Sequence, residues 1–200
     1  MRVGRVTLRI GLLILLLPCA VLGVADAAGI RGMHAVNGRG RPVGIDSIFF
    51  LASVTKAIVA TAVMQYVDEG RLDLRAPLAR YLPGFEGRGR ERVASWHILT
   101  HTSGLPDMHI ETLRHERPDY ERLLDFALSS VPAWEPGSRY AYNSAAWLLL
   151  SETMARLSGR PFAEALHTRL TEPLGMIDTT FDARPLRSRV VSMNDFSVQG

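Results

Sequence analysis

The stretch Phe50-Leu51-Ala52-Ser53-Val54-Thr55-Lys56 decides how this 200-residue chain is interpreted. Lys56 is the only lysine in the sequence, and the other 22 of its 23 basic residues are arginine. Arginine can replace lysine on a solvated surface, but its guanidinium does not lose a proton at any working pH. The one lysine that remains, three residues after Ser53, is therefore a candidate for proton chemistry.

The spacing of Ser53 and Lys56 places both side chains on one face of the first turn of a helix. Serine is a weak nucleophile until a neighbouring base takes its proton. Burial and the positive end of the helix dipole both disfavour an ammonium group, so a lysine in this position can serve as that base. The backbone N–H of Ser53 can stabilise an oxyanion. Ser-x-x-Lys also arises by chance, so the function depends on further motifs.

The first 28 residues have the three parts of a secretory signal peptide. Three arginines lie among the first nine residues, an apolar core follows over residues 10–17, and Ala25-Asp26-Ala27 gives the small-residue pattern of a cleavage site. The sequence therefore predicts a signal peptide over residues 1–28 and a mature domain over residues 29–200, which is secreted or periplasmic.

A retained membrane anchor is the alternative for the same segment. About 20 consecutive apolar residues are needed to span a bilayer, and Pro18 interrupts this run. We expect no stable membrane span after signal cleavage. Cys19 is the single cysteine and lies inside the predicted signal, so disulfides and thiol catalysis are not expected in the mature chain. Lipidation of Cys19 is disfavoured by the preceding proline.

The charge of the chain gives no evidence for a nucleic-acid partner. The first 28 residues carry three Arg and one Asp, a net of +2, so the total of +3 falls to about +1 after cleavage. No block of like charge remains that could follow a phosphate backbone, despite the sequence pI of about 9.4. We expect no nucleic acid among the partners.

Hydrophobic periodicity predicts a chain that is mostly helical. The pattern favours one short strand, at residues 33–36, and places glycines at the ends of two helices, Gly70 and Gly159. The predicted helices cover residues 54–68, 77–82, 93–100, 118–128, 144–157 and 161–170.

A second candidate segment is Pro136-Gly137-Ser138-Arg139-Tyr140-Ala141-Tyr142-Asn143-Ser144-Ala145. A tyrosine just ahead of an apolar helix can present its phenol beside Ser53 as a second base or proton shuttle. Tyr140 and Tyr142 can also be core aromatics with solvated hydroxyl groups. The residues alone favour this second interpretation.

Five motifs in order resemble the serine beta-lactamase-like family, which includes class C beta-lactamases, D-alanyl-D-alanine carboxypeptidases and related esterases. The matches run from about residue 46 to residue 182. They are the nucleophile motif at residues 50–56, Asp68-Glu69-Gly70-Arg71-Leu72-Asp73-Leu74, Leu99-Thr100-His101-Thr102-Ser103-Gly104-Leu105-Pro106, the second catalytic motif at residues 136–142, and Glu172-Pro173-Leu174-Gly175-Met176.

The resemblance implies an α+β fold of the beta-lactamase/transpeptidase type and a serine hydrolase that needs no cofactor and no metal. Ser53 would be the acylated nucleophile, Lys56 its activating partner, and Tyr142 the base or proton shuttle. Tyr140 stands where the family usually has another aromatic residue. The implied substrate is a small-molecule or peptidoglycan-like ester, beta-lactam or D-Ala peptide.

Two departures from the family pattern qualify this expectation. Ser144 stands at the substrate-binding position where the family commonly has the asparagine of Tyr-x-Asn, which contacts a substrate amide. This favours an ester over a beta-lactam, and we expect Asn143 to point away from the site.

The family's third motif, Lys/His-x-Gly, has no counterpart after Tyr142. We therefore expect mostly the helical region, with the flanking antiparallel sheet largely missing and the domain incomplete at its C-terminus. The alternative function is a catalytically inactive fragment or an envelope binding domain.

Zinc chemistry is the remaining enzymatic alternative, because His97 and His101 are spaced as two ligands on a helix. A His-Glu-x-x-His protease would have glutamate at the position of Ile98, so we expect no metal. The Gly-x-Ser-x-Gly elbow of other esterases is also absent. We expect His101 to form its hydrogen bond within the turn at residues 102–106.

Overall fold

The computed structural model describes residues 19–26, 29–37 and 43–191. The chain divides into two compact units. One consists of the residues up to Ala52 and those from Thr180 onward, and the other of Ser53–Thr179. All four residues that the sequence assigns to the site lie in the second unit.

The first unit contains an antiparallel pair of strands, β1 (Cys19–Asp26) and β2 (Gly29–Asn37). Cys19 lies opposite Asn37 and Asp26 opposite Gly29, with an irregularity between Val24 and Ala25. In the same unit, Ile48 and Val190 form an isolated parallel bridge.

These strands exceed the single short strand expected from the sequence. The predicted residues 33–36 lie inside the longer β2, while β1 falls within the segment assigned to the signal peptide. An apolar run with small residues suits a leader and a strand equally well, so local pattern does not separate them. Cleavage after residue 28 would remove β1, and the cleavage site stays a prediction.

The second unit is built from α-helices joined by short turns. Single 3₁₀ turns occur at Ala52–Val54, where the two units meet in sequence, and at Leu78–Arg80 and Arg90–Arg92. The helices are α1 (Thr55–Asp68), α2 (Ser95–Leu99), α3 (Ile110–Glu116), α4 (Tyr120–Ser129), α5 (Trp147–Ser158) and α6 (Phe162–Leu166), the last continuing as a π-helical turn over His167–Thr171.

Helix α1 forms as the periodicity predicts. Val59, Ala62, Val63 and Tyr66 are buried at i, i+3, i+4 and i+7, which makes one continuous apolar face. The helix ends at Asp68, and Gly70 follows with a φ of 66°, the left-handed conformation that glycine adopts without a Cβ clash. Burial of this face fixes the first turn of α1, and with it Lys56.

The other helices depart from the expected bounds at their ends. The helix expected over residues 93–100 is limited to α2, and α3 was not expected at all. The helix expected to continue to residue 170 widens into the π-helical turn. There the Arg169 carbonyl accepts a hydrogen bond from Gln65 Nε2 at 3.2 Å, which gives it a partner outside its own helix.

The buried hydroxyl of Tyr66 gives a test of the core. Its ring is fully buried, with the guanidinium carbons of Arg71 and Arg169 at 5.2 and 4.1 Å from the ring centroid. The hydroxyl has no hydrogen-bond partner within the ranges that the structure describes. Because an unsatisfied buried hydroxyl costs about 1–3 kcal/mol, we expect Tyr66→Phe to raise the free energy of unfolding by roughly 1 kcal/mol.

Urea unfolding checks this expectation, with Tyr81→Phe as the matched control. The Tyr81 hydroxyl accepts a hydrogen bond from the Asp73 backbone N–H at 2.8 Å, so its removal should lower stability by about 1 kcal/mol. Destabilisation of similar size in both variants would show that the Tyr66 hydroxyl has a partner.

Within the described segments, no helix combines the length and the apolar character needed to cross a bilayer.

Candidate active site

Ser53 lies on the 3₁₀ turn that leads into α1, and its side chain is exposed. The preceding residue, Ala52, has a φ of 46°, in the left-handed region that non-glycine residues rarely enter. A backbone of this kind costs about 1–3 kcal/mol and is found preferentially at functional sites. The strained backbone of Ala52 thus directly precedes Ser53.

The hydroxyl of Ser53 forms a hydrogen bond with the phenol of Tyr142. Ser53 Oγ and Tyr142 Oη are 2.6 Å apart, although the two residues are 89 positions apart in sequence. This is a short distance for O–H···O bonds. A proton can pass directly between these two oxygens.

Lys56 completes the group from the first turn of α1. Its Nζ donates a hydrogen bond to Ser144 Oγ at 3.2 Å and lies 4.9 Å from the centroid of the Tyr142 ring. The Trp147 ring centroid is 5.8 Å away. The ammonium group therefore stands against the aromatic face of Tyr142, in the range of a cation–π interaction.

Hydrogen bonding with Lys56 changes the acidity of Tyr142. Interaction with Lys56 is the largest cause that lowers the pKa of the Tyr142 phenol below its ordinary value of 10.0, and the hydrogen bond with Ser53 lowers it further. The side chain is about half exposed (49%), so solvent screens part of this effect. A phenolate that is easier to form is a better proton acceptor near neutral pH.

The segment that carries Tyr142 is held by the loop at residues 101–107. The His101 carbonyl accepts from the Ala141 N–H at 2.8 Å, and His101 Nδ1 accepts from the Asn143 N–H at 3.1 Å. The Asn143 side chain is buried, donates to the Leu105 carbonyl at 2.7 Å and accepts from the Ala146 N–H at 2.7 Å. Asn143 therefore points away from the reacting atoms, as expected.

Asp107 fixes the next turn of the same segment. Its two carboxylate oxygens accept hydrogen bonds from the N–H groups of Ser144 and Ala145, at 2.9 and 2.8 Å. These N–H groups precede α5, where a negative charge is favourable to the helix dipole. Asp107 was not singled out from the sequence, and its place after Leu105-Pro106 is the only local signal.

The expectation for His101 was wrong. Its ring nitrogen bonds to Asn143 instead of the turn at residues 102–106, because a φ of 56° at His101 turns the chain toward the Tyr142 segment. The ring stacks on Tyr142 with centroids 4.5 Å apart and planes inclined by 28°. Burial lowers the pKa of His101 below 6.5, and the charge of Lys56 lowers it further.

The structure thus brings Ser53, Lys56, Tyr142 and Ser144 together. Tyr140 is exposed, at 68%, and lies edge-on to His101 with ring centroids 6.0 Å apart. Among the residues that the structure describes, no group of three or more His, Cys, Asp or Glu could hold a metal ion. His97 Nδ1 accepts a hydrogen bond from the Ala94 N–H at 2.9 Å.

Comparison with known proteins places the chain in a family. The Beta-lactamase family model matches residues 17–195. The chain is 40% identical over 169 residues to "Esterase EstB" of Burkholderia gladioli, covering 76% of this chain and 43% of that protein. It is 30% identical over 155 residues to the D-alanyl-D-alanine-carboxypeptidase/endopeptidase AmpH of Escherichia coli K12, covering 72% of this chain and 40% of that protein.

Solved structures have the same fold. The class C beta-lactamase of Rhodobacter sphaeroides superposes with a TM-score of 0.68 at 26% identity, over 93% of this chain and 53% of the other. The octameric penicillin-binding protein homologue of Pyrococcus abyssi gives a TM-score of 0.78 at 24% identity, over 96% and 47%. The chain spans less than half the length of these curated relatives. Its fold is that of the beta-lactamase/transpeptidase proteins, rich in helix with few strands in the described residues, and the chain belongs to the beta-lactamase family.

Proposed function

We propose that this protein is a secreted or periplasmic serine hydrolase that acts through an acyl-enzyme on Ser53. The observation that carries the proposal is the 2.6 Å hydrogen bond between Ser53 Oγ and Tyr142 Oη, with Lys56 Nζ 4.9 Å from the Tyr142 ring. A nucleophile in direct contact with a proton acceptor of lowered pKa, beside a cation, is the arrangement that covalent catalysis by serine requires.

The acylation step uses the contacts already described. Tyr142 Oη takes the proton of Ser53 Oγ as the serine oxygen attacks the substrate carbonyl carbon. The Ser53 backbone N–H is our candidate donor to the oxygen that becomes negative. When the tetrahedral intermediate collapses, the bond to the leaving group breaks, and the leaving oxygen takes the proton from Tyr142.

Deacylation repeats these steps with water as the nucleophile. Tyr142 accepts a proton from the water as its oxygen bonds to the acyl carbon, and returns that proton to Ser53 Oγ when the ester bond breaks. The products are a carboxylic acid and the free serine. Lys56 stabilises the phenolate form of Tyr142 in both steps.

We propose an ester as the substrate class. Ser144 accepts the hydrogen bond of Lys56 through a short hydroxyl side chain, so this position offers no carboxamide to pair with a substrate amide. The relative that is 40% identical is named an esterase, whereas the carboxypeptidase relative is 30% identical. A short-chain ester such as p-nitrophenyl butyrate is the probe we would use first.

Mapping of the modified residue tests the proposal. The protein is incubated with a fluorophosphonate probe, with p-nitrophenyl butyrate and with a fluorescent penicillin, and the labelled peptide is identified by mass spectrometry. We expect the fluorophosphonate on Ser53 and faster turnover of the ester than acylation by the penicillin. Label on another serine, or no label and no turnover, would contradict the proposal and support an inactive fragment or binding domain.

A further inference from the structure

The side chain of His101 makes two contacts with the segment that carries Tyr142. Its ring stacks on the phenol ring at 4.5 Å, and its Nδ1 accepts the backbone N–H of Asn143, the residue that follows Tyr142. Its own carbonyl holds Ala141, the residue that precedes Tyr142, at 2.8 Å. His101 therefore bonds to the residues before and after Tyr142 and also stacks on the Tyr142 ring.

These contacts require a particular state of the imidazole. An Nδ1 that accepts an N–H bond carries no proton, so the proton of the neutral ring is on Nε2. A doubly protonated ring would direct an N–H at the Asn143 N–H and would add a positive charge near Lys56. The ionisable groups that face His101 are Lys56, Asp107, Tyr140 and Tyr142. Lys56 opposes its protonation, and Asp107 favours it.

The backbone of His101 also departs from the ordinary. Its φ of 56° lies in the left-handed region, which few non-glycine residues enter, although histidine, asparagine and aspartate do so more often than the others. A glycine would satisfy this conformation without strain, yet it would supply neither the ring nor the nitrogen acceptor. The strain is thus associated with a side chain that contacts Tyr142 twice.

From these contacts we propose that His101 is a positioning residue for the acylation step: in its neutral form it holds the Tyr142 phenol against the Ser53 hydroxyl. The inference rests on the proposed function, since it assigns a role in the same site. Among the described contacts His101 touches Tyr142 and not Ser53, so it acts through Tyr142.

The variant His101→Asn tests the role of the ring. Asparagine tolerates the left-handed backbone, and its side-chain oxygen can replace Nδ1 as the acceptor, while the stacked ring is removed. We expect the rate of fluorophosphonate labelling at Ser53 to fall by roughly 10- to 100-fold, as misplacement of a catalytic group by about 1 Å does. We also expect the Tyr142 titration, followed by tyrosinate absorbance against Tyr142→Phe, to move up toward 10.

A pH series separates positioning from folding. The wild type loses its neutral His101 only as the pH falls through the pKa of His101, which burial and Lys56 lower below 6.5, and over that range the ratio of its labelling rate to that of His101→Asn should decrease. His97→Asn is the matched control, because His97 Nδ1 also accepts a backbone N–H but has no contact with Tyr142 among those described. That variant should lose thermal stability and keep the Tyr142 titration of the wild type.

Two results would overturn the inference. One is a His101→Asn protein with the labelling rate and Tyr142 titration of the wild type. The other is a lower labelling rate that follows only the folded fraction, with the Tyr142 titration unmoved. Failure of the proposed function is distinguishable from both, because the wild type would then give no label at Ser53, whereas the Tyr142 titration can be measured without any reaction.

Discussion

Replacement of Ser53 by alanine should abolish covalent labelling and reduce ester hydrolysis by roughly 10³- to 10⁶-fold, the range seen when the nucleophile of an acyl-enzyme mechanism is removed. The substitution deletes one oxygen atom from an exposed side chain on a 3₁₀ turn, so the core of Ser53–Thr179 is untouched. The physical reason for the loss is direct: no other hydroxyl takes the place of Ser53 Oγ at 2.6 Å from Tyr142 Oη.

Ser129→Ala is the matched control for this loss. Ser129 is an exposed serine at the end of α4, outside the motifs, and its hydroxyl donates to the Phe126 carbonyl at 3.2 Å. It should therefore keep the labelling and turnover of the wild type. Initial rates with p-nitrophenyl butyrate and gel fluorescence of the fluorophosphonate adduct give the two readouts. Labelling that persists in Ser53→Ala would exclude Ser53 as the nucleophile.

The parts of the fold that were predictable from sequence are those fixed by local pattern. Helix α1 has its buried residues one turn apart and a glycine at its end, and both features are legible without tertiary context. Helix α3 has no such pattern. It begins after His109, whose ring nitrogen lies 3.4 Å from the Glu111 N–H that it caps, and histidine is not among the preferred N-cap residues.

The π-helical turn and strand β1 depend on partners far away in sequence. The π-helical turn continues α6, and the Arg169 carbonyl within it accepts a hydrogen bond from Gln65, 104 residues earlier in the sequence. Strand β1 exists by pairing with β2, and its own residues suit a leader peptide just as well. Such features follow from tertiary contacts, which periodicity does not report.

The site residues divide in the same way, into those that were recognisable from the sequence and those that depend on contacts distant in sequence. Ser53 and Lys56 were identified from their spacing and from the absence of other lysines, and Tyr142 and Ser144 from resemblance to a family. The residues that hold them, Asp107 and His101, were missed or misassigned. Their role rests on hydrogen bonds that cross about 40 positions of sequence and on a positive φ at a residue that is not glycine.

The second large effect is expected at Lys56, where two substitutions separate charge from proton transfer. In our mechanism Tyr142 takes the serine proton, and Lys56 contributes its positive charge. Lys56→Met keeps an unbranched side chain, one atom shorter, and removes the amine, so the phenolate of Tyr142 loses its main stabilising partner. We expect labelling at Ser53 to fall by roughly 10²- to 10⁴-fold, the usual contribution of general acid–base catalysis. The Tyr142 titration should return toward 10.0.

Lys56→Arg decides which group is the base. Guanidinium stays protonated at any working pH, so it can supply charge to Tyr142 but cannot accept a proton from Ser53. If Tyr142 is the acceptor, the arginine variant should retain a Tyr142 titration below 10 and label at a rate between those of the wild type and Lys56→Met. If Lys56 itself must lose a proton, both variants should be equally inactive.

The geometry favours the first outcome, because the Ser53 hydroxyl bonds to Tyr142 at 2.6 Å while Lys56 donates to Ser144 at 3.2 Å. Among the described contacts, the hydrogen-bond partner of the Ser53 hydroxyl is therefore Tyr142, and the Lys56 amine is directed to Ser144. Lys56 is thus assigned to hold the phenolate, and equal inactivity of the two variants, with thermal unfolding unchanged, would assign the proton transfer to the lysine instead.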